Sequence, residues 1–340
     1  MLKNSGFEIE IVHGDALQFK ADVLMLKFAP QSSGLDRVVL GMLGQEALQV
    51  SLGDYRVLPS EGKFGCSQVL MVGTVSMGDI GYQHLRQLGH NMLANLNNLD
   101  VDVTHVITTA HGVSTNKRSL DEEEALRSLI LGFADAADGG QIPDSLERLT
   151  IIERNEHRVE LFKDALRKFF PQDIVFDVDK EAAEKADRRG DATGMVTSVA
   201  SLDEAAQKPV ANDATPHVFV AMPFAEEFDD QYYLAIRPAV TTQNLLCVRL
   251  DQEESTFTGD IMEQVKERIR SAKFVIALLD WRNPNVYLEV GYAWGVGTPT
   301  ILILHEGETP PFDVQGSRLM IYKRIHKLKD QLSDELRHLI

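Results

Sequence analysis

One stretch decides the fold: KFVIALLDWRNPNVYLEVGYAW, from Lys273 to Trp294. It begins with an apolar run from Phe274 to Leu279, which has the length and composition of a buried strand. The run ends abruptly at Asp280, and a short polar turn containing Pro284 follows. The first half of the stretch therefore predicts a buried strand that opens into a turn.

The second half of the stretch has the pattern of a helix. Val286, Val290 and Ala293 recur at helical spacing, and we expect Gly291 to let this helix pack closely on the sheet. Glu289 lies one step off the apolar stripe, in the first turns of the helix. Ligands of open α/β sheets bind beyond the carboxyl ends of the strands, which makes Glu289 a candidate catalytic residue. The plain alternative is that glutamate favours the first turns of helices through propensity and the macrodipole.

Length and composition indicate a globular protein. The 340 residues are enough for two domains with full cores, and the contents of 44% apolar and 25% charged residues are ordinary. No apolar run is long enough to span a bilayer, and the N-terminus lacks the pattern of a signal peptide. We therefore expect a cytoplasmic protein that does not bind membranes.

Net charge and cysteine content limit the expected ligands and the expected redox compartment. The net charge of −17 repels a phosphate backbone, so nucleic acid is not expected as a direct substrate, whereas a small nucleotide in a pocket stays open. Cys66 and Cys247 form neither a disulfide framework nor a metal motif, which favours a reducing compartment. No His/Cys cluster is present, and we expect no metal site.

The first half of the chain alternates apolar strand patterns with helix patterns, which predicts a largely parallel sheet with helices on both faces. The turns at 13–15 and 111–114 would fall at the carboxyl ends of strands and could line one pocket. The predicted strands are 7–12, 21–26, 69–74, 104–109 and 149–153, and the predicted helices are 33–48, 82–99, 120–137 and 156–170.

This half resembles the macro-domain superfamily, in particular the macro-like N-terminal domain of leucine aminopeptidases. The matching segments are IVHGD followed by ADVLML, TTAHGVS, LDEEEA and LTIIERNEHRVELFKDAL. The resemblance implies nucleotide binding near Gly14, Asp15, Gly112 and Val113. Macro hydrolases usually carry asparagines after the second strand, whereas residues 26–28 here are Leu-Lys-Phe. We therefore expect binding without catalysis, or a structural or dimerising domain.

Residues 180–216 break the alternating pattern. They are rich in Ala, Asp, Ser, Thr and Gly and have few large apolar residues, which is typical of a linker. We predict a macro-like domain at 1–178, a linker at 179–215 and a second α/β domain at 216–340.

The second domain has five strand patterns with interleaved helices, the size of a flavodoxin-like, doubly wound parallel sheet. The expected strand order 2-1-3-4-5 opens a crevice between the first and third strands. Met222, Pro223 and Phe224 end the first strand, and residues 280–285 end the third. Both ends would face one cleft with Glu289 beside it.

Residues 216–325 resemble the nucleoside 2-deoxyribosyltransferase-like fold and its TIR-like relatives. The resemblance lies in AMPF, FTGDI and RNPNVYLEVGYAWGVGTPTILI. It implies that Glu289, the glutamate of the ExGYA pattern, attacks or stabilises the anomeric carbon as the N-glycosidic bond breaks. Deoxyribosyltransferases have an aspartate six residues earlier, where this chain has Asn283. An amide cannot protonate a base, which shifts the expectation from deoxynucleosides toward NAD, whose nicotinamide is already cationic.

Other residues near the predicted cleft have two interpretations each. Asp280 is a second catalytic candidate that contacts a ribose hydroxyl, or else it caps the turn. Asp260 could contact substrate or cap a helix, and Phe224 and Tyr292 could stack on a base or belong to the core. We predict substrate binding by these residues together with the rest of the cleft set: Met222, Pro223, Asn283 and Asn285.

The leading hypothesis is a two-module nucleotide enzyme without a cofactor. The second module would cleave NAD or a related nucleotide as an NADase-type hydrolase, and the first would sense a nucleotide or assemble a homo-oligomer. The resemblance implies a bacterial stress or antiviral effector. The alternatives are a deoxyribosyltransferase and a non-catalytic nucleotide sensor or scaffold.

Overall fold

The computed structural model describes residues 7–30, 34–113, 120–169, 195–198, 211–212, 215–223, 225–249 and 259–340, with the backbone alone at 195–198 and 259–261. Two compact units emerge from its contacts. Unit 1 comprises Met1–Val113 and Glu122–Asn212, and unit 2 comprises Ser114–Asp121 and Asp213–Ile340.

Unit 1 is built on a seven-stranded sheet with the order β3-β4-β2-β5-β6-β1-β7. The five inner strands are parallel, and the two edge strands run antiparallel to their neighbours. Most residues of the inner strands are buried, as expected for a sheet covered on both faces. The strands are β1 (Glu8–His13), β2 (Ala21–Phe28), β3 (Tyr55–Pro59), β4 (Cys66–Gly73), β5 (His105–Thr109), β6 (Arg148–Glu153) and β7 (Met195–Ser198).

Four helices of unit 1 follow the predicted positions. They are α1 (Leu35–Leu43), α2 (Tyr82–Ala94), α3 (Glu122–Asp138) and α4 (Glu156–Phe169). α2 stops earlier than the sequence pattern, because a 3₁₀ turn at Asn95–Asn98 tightens its end.

Reciprocal glycines allow α2 and α3 to pack backbone against backbone. A Cβ at Gly132 of α3 would lie 1.9 Å from the carbonyl oxygen of Arg86, and one at Gly89 of α2 would lie 2.3 Å from that of Leu129. Only glycine fits at such distances. These two residues therefore set the separation of the two helices.

The sequence analysis did not anticipate the edge strands β3 and β7. β7 pairs antiparallel with β1 although it falls within the stretch interpreted as a linker. Both strands are short, and their pairing depends on a neighbour distant in the sequence rather than on a long apolar run of their own.

Unit 2 is built on a five-stranded parallel sheet with the order β12-β11-β10-β8-β9. In the order of the chain this is 2-1-3-4-5, the order expected from the sequence. β10 lies at the centre and is completely buried. The strands are β8 (His217–Ala221), β9 (Leu246–Arg249), β10 (Phe274–Leu278), β11 (Thr300–His305) and β12 (Leu319–Tyr322).

The helices of unit 2 cover this sheet. A π-helical segment at Gln231–Ile236 leads into α5 (Arg237–Thr241), and α6 (Gly259–Ser271), α7 (Pro284–Val296) and α8 (Ile325–Leu339) follow. α7 packs on β8, β10, β11 and α6 through a core that includes Val286, Val290 and Ala293.

The expectation that Gly291 packs closely on the sheet is wrong. Gly291 is exposed, and a Cβ built there meets no atom within 4 Å. The buried stripe of α7 is complete without it, because Val286, Glu289, Val290 and Ala293 already form that face. In the described ranges, none of the helices combines the length and the hydropathy that a membrane span requires.

Candidate functional site

The carboxyl ends of β8 and β10 lie side by side in unit 2. The two strands are adjacent and in register, with Ala221 opposite Ala277. Met222 and Pro223 continue β8 and are buried, whereas Phe224 lies outside the described residues. The first and third strands of the domain therefore end at the same edge of the sheet, as the sequence analysis required of a cleft.

Glu289 is a buried carboxylate on the sheet-facing side of α7. It is 6% exposed and lies on the same helical face as Val286 and Ala293. Among the described residues, none forms a hydrogen bond or ion pair with its carboxylate. Burial alone raises the pKa of Glu289 to about 8. A perturbed, uncompensated carboxylate of this kind marks a candidate active site.

Asp280 is buried at the end of β10, and both of its oxygens accept hydrogen bonds. The backbone N–H of His305 donates to Oδ1 at 2.8 Å, and the hydroxyl of Tyr322 donates to Oδ2 at 2.5 Å. Asp280 therefore ties the end of β10 to β11 and β12. These contacts favour a structural role, and its catalytic role stays a prediction.

Asn283 is the N-cap of α7. Its Oδ1 accepts a hydrogen bond from the backbone N–H of Asn285 at 2.9 Å, and Pro284 occupies the first helical position. This cap explains locally why the helix begins here. The side chain of Asn283 is thus already engaged in holding the helix, and contacts of Asn283 and Asn285 with substrate stay predictions.

The remaining predicted residues lie on α6 and α7. The hydroxyl of Tyr292 accepts a hydrogen bond from Arg270 of α6 at 2.5 Å, so the partly buried ring packs toward that helix. Asp260 lies in the first turn of α6. Substrate contacts of Tyr292 and Asp260 stay predictions.

The predicted nucleotide residues of unit 1 lie on two turns at one edge of the sheet, with β6 between their strands. At the end of β1, the Gly14 N–H bonds to the carbonyl of Glu153 at 3.0 Å. The carboxylate of Asp15 accepts a hydrogen bond from the Leu17 N–H and pairs with Arg154 at 2.7 Å. Burial opposes ionisation of Asp15, but these two contacts outweigh it and lower its pKa.

The second turn, at the end of β5, is defined by its backbone conformation. Gly112 has a φ of 79°, in the left-handed region that favours glycine, and Val113 after it is buried. The structure therefore places Gly112 and Val113 at the carboxyl edge of the sheet, and their contact with a ligand stays a prediction.

A buried polar cluster that the sequence analysis missed lies next to this turn. Lys27 Nζ is 3.4 Å from Asp36 Oδ1, and Thr108 Oγ1 is 3.1 Å from His111 Nε2. Burial, and then the charge of Lys27, lower the pKa of His111 to about 3. The one signal that the sequence analysis noted here is that residues 26–28 are Leu-Lys-Phe, where the resemblance to macro hydrolases would imply asparagines.

Because His111 is kept neutral in the folded state, unit 1 is expected to lose stability in mild acid. In the unfolded chain the imidazole takes up a proton below its ordinary pKa of 6.5, whereas in the folded chain its pKa is about 3. The free energy of unfolding therefore falls by about 1.4 kcal/mol per pH unit across that window. Urea unfolding of His111→Gln from pH 7 to 4 should lack this slope.

The exposed His338 provides the control, since His338→Gln should retain the slope of the wild type. An unchanged slope in His111→Gln would contradict the assignment.

Among the residues that the structure describes, no three His, Cys, Asp or Glu side chains are grouped so that they could hold a metal ion. No family model and no curated protein matches the sequence.

Solved structures that resemble the chain include macrodomains and a nucleotide N-glycosidase. The Trypanosoma brucei macrodomain in complex with ADP has 12% identity and a TM-score of 0.38, over 46% of this chain and 68% of that one. The Clostridium botulinum CMP N-glycosidase has 18% identity and a TM-score of 0.28, over 36% and 99%. A mutant Oceanobacillus iheyensis macrodomain with ADPR has 9% identity and a TM-score of 0.34, over 49% and 100%. The similarity to deoxyribosyltransferase-like and TIR-like proteins stays a prediction.

Proposed function

We propose that residues 216–340 cleave the N-glycosidic bond of NAD or a related nucleotide, with Glu289 as the essential carboxylate. Breaking this bond builds positive charge on the sugar, and a carboxylate stabilises that charge or traps the anomeric carbon covalently. Water or another acceptor then takes the sugar.

The observation that carries the proposal is the environment of Glu289. An ionised carboxylate is costly in an apolar site without a partner, and the pKa of about 8 expresses that cost. A side chain that only favoured the first turns of the helix would be more stable facing water. Its burial on the sheet-facing side of α7 is therefore better explained by a substrate that compensates the charge.

The same environment favours a cationic substrate. The nicotinamide ring of NAD carries a positive charge at the bond to be broken, and that charge would stabilise the ionised form of Glu289. A neutral deoxynucleoside supplies no such charge before the bond breaks. Asn283 agrees with this preference, because a cationic leaving group needs no protonation.

In this proposal, unit 1 senses a nucleotide or assembles the protein into a homo-oligomer. The turns at Gly14–Asp15 and Gly112–Val113 are its candidate ligand contacts. The protein would act in the cytoplasm as a stress or antiviral effector that consumes NAD.

The test is direct measurement of base release. Purified protein is incubated with NAD, with CMP, and with deoxyadenosine plus a free base, over a range of protein concentrations that includes assembled species. Chromatography follows the products, with Glu289→Gln as the control. Absence of turnover by the assembled wild type, or equal turnover by the variant, would replace the enzyme by a nucleotide-binding sensor.

The pH dependence of NAD cleavage is expected to identify the ionisation state of Glu289 that acts. Since kcat/KM reports the free enzyme, it should rise with pH through an apparent pKa of about 8. The pKa seen in kcat should be lower, because the bound cation stabilises the carboxylate. A neutral substrate should show no such separation, and a profile that falls through this range would assign Glu289 as an acid instead.

A further inference from the structure

The turn between β10 and α7 holds two consecutive non-glycine residues in the left-handed region. Trp281 has φ 60° and ψ 7°, and Arg282 has φ 50°. Such conformations are unfavourable for bulky side chains and persist only where the surroundings enforce them. They cluster at ligand sites, which makes the turn a place to look for function.

The contacts on both sides of Trp281 account for how this turn is held. Before it, Asp280 is fixed by His305 and Tyr322. After it, the guanidinium of Arg282 donates two hydrogen bonds to the carbonyl of Thr309, at 3.0 and 3.2 Å. These contacts over-determine the backbone on either side of the indole.

The result of this strain is an exposed indole. Trp281 is 57% exposed, and within the described part of the chain Phe228 is the one aromatic ring that contacts it, edge to face with centroids 4.6 Å apart. Phe228 is itself buried and supports one side of the indole. Among the residues that the structure describes, a large part of the indole's apolar surface is therefore left uncovered at the carboxyl edge of the sheet.

The position of this indole fits a substrate whose sugar meets Glu289. Trp281 lies shortly before Pro284, the first residue of α7. Glu289 lies five residues after Pro284, so the two are about 7.5 Å apart along the helix axis. Base and sugar adjoin in a nucleotide, so a base held at the turn places the anomeric carbon toward the helix.

We propose that Trp281 is the stacking platform for the aromatic base of the substrate, and that the strained turn presents it. This inference rests on the proposed function, since it names the residue that binds the leaving base at the same site. Stacking on an indole tolerates different bases, because every base has a π-face. Trp281 thereby selects for planar aromatic leaving groups rather than for one base.

The chain has two tryptophans, Trp281 and Trp294, which gives a binding readout independent of turnover. In Glu289→Gln/Trp294→Phe, emission comes from Trp281 alone, and addition of NAD should quench it saturably. In Glu289→Gln/Trp281→Phe, emission comes from Trp294, which is 43% exposed on α7. Added NAD should change this emission only as much as it changes that of free N-acetyltryptophanamide, which has no binding site.

Kinetics on the full chain supply the second measurement. Trp281→Asn should lower kcat/KM for NAD by about 10- to 100-fold, mainly through KM, as expected for loss of one base stack. Asparagine tolerates the left-handed conformation, which relieves the backbone strain at position 281. The thermal midpoint of Trp281→Asn should therefore lie near that of the wild type. Trp281→Phe should recover most of the loss, and Trp294→Ala should leave KM unchanged.

The outcomes separate the two proposals. Saturable quenching of Trp281 without turnover of any substrate would refute cleavage and retain the stacking role. Turnover that depends on Glu289 with an unchanged KM in Trp281→Asn and no quenching would refute the stacking role and retain cleavage.

Discussion

Replacing Glu289 by glutamine is expected to remove base release and at the same time to stabilise unit 2. The amide keeps the size of the side chain but cannot stabilise the positive charge that develops on the sugar. Loss of one such preorganised interaction costs about 10²- to 10³-fold in kcat. The measurement is initial rate of nicotinamide release from NAD by wild type and variant at equal concentration.

The gain in stability follows from the raised pKa. The folded protein keeps a proton on Glu289 up to about 8, whereas the unfolded chain releases it near 4.5. Stability from this group is thus complete below the unfolded value and is lost as pH rises through the folded value, by about 1.4 kcal/mol per pH unit within that window. Urea unfolding at pH 5, 7 and 9 should show a difference between variant and wild type that grows with pH.

Glu263→Gln is the matched control, because this glutamate lies on the surface of α6 in a solvent-exposed pair with Lys266. Its effect should be small at every pH. If the difference in free energy of unfolding between Glu289→Gln and wild type is the same at pH 9 as at pH 5, the carboxylate is not buried as described. If Glu289→Gln is stabilised but keeps full activity, Glu289 is buried as described but does not take part in catalysis.

Alanine at Gly132 is expected to destabilise unit 1 by about 3 kcal/mol, because the new methyl group meets backbone and not a movable side chain. A Cβ there would lie 1.9 Å from the Arg86 carbonyl oxygen and 2.8 Å from the His90 nitrogen. α2 and α3 must separate to admit it, and their shared core is then packed less well. Urea unfolding followed by circular dichroism measures the loss.

Gly291→Ala supplies a control of opposite sign. Gly291 is also in the interior of a helix, but a Cβ there meets open space. Alanine should stabilise α7 by about 1 kcal/mol, the difference in helix propensity. Tryptophan emission follows this transition, because both tryptophans lie in unit 2. Equal effects of the two substitutions would contradict the close approach of α2 and α3.

Most of the secondary structure could be predicted from the sequence, because it follows from local patterns. The apolar run at 274–279 gave the central strand within one residue, and β1, β2 and α4 begin within one residue of the predicted positions 7, 21 and 156. Short alternating or apolar segments bounded by polar turns are sufficient for this. This local reasoning could not find β3 and β7, because these two strands are defined by pairing with a neighbouring strand.

The chemistry of the site depended on tertiary structure. The sequence placed Glu289 and Asp280 near the same strand end and favoured Glu289 for catalysis, but it left each carboxylate with a structural interpretation as well. In the fold, Asp280 is satisfied by residues 25 and 42 positions later, whereas Glu289 is buried on the same helical face as Val286, Val290 and Ala293. Desolvation and long-range hydrogen bonds arise only when distant segments pack, so no local pattern contains them.

The same division holds for the other functional features. Residue type and spacing determined the strand, turn and helix that carry Glu289, and the acidic composition disfavoured nucleic acid as a partner. Tertiary structure decided which side chains face the sheet, which carboxylate remains uncompensated, and how the turn exposes Trp281. Local backbone preferences fix the elements, but burial and strain are set by the neighbours that the fold brings together.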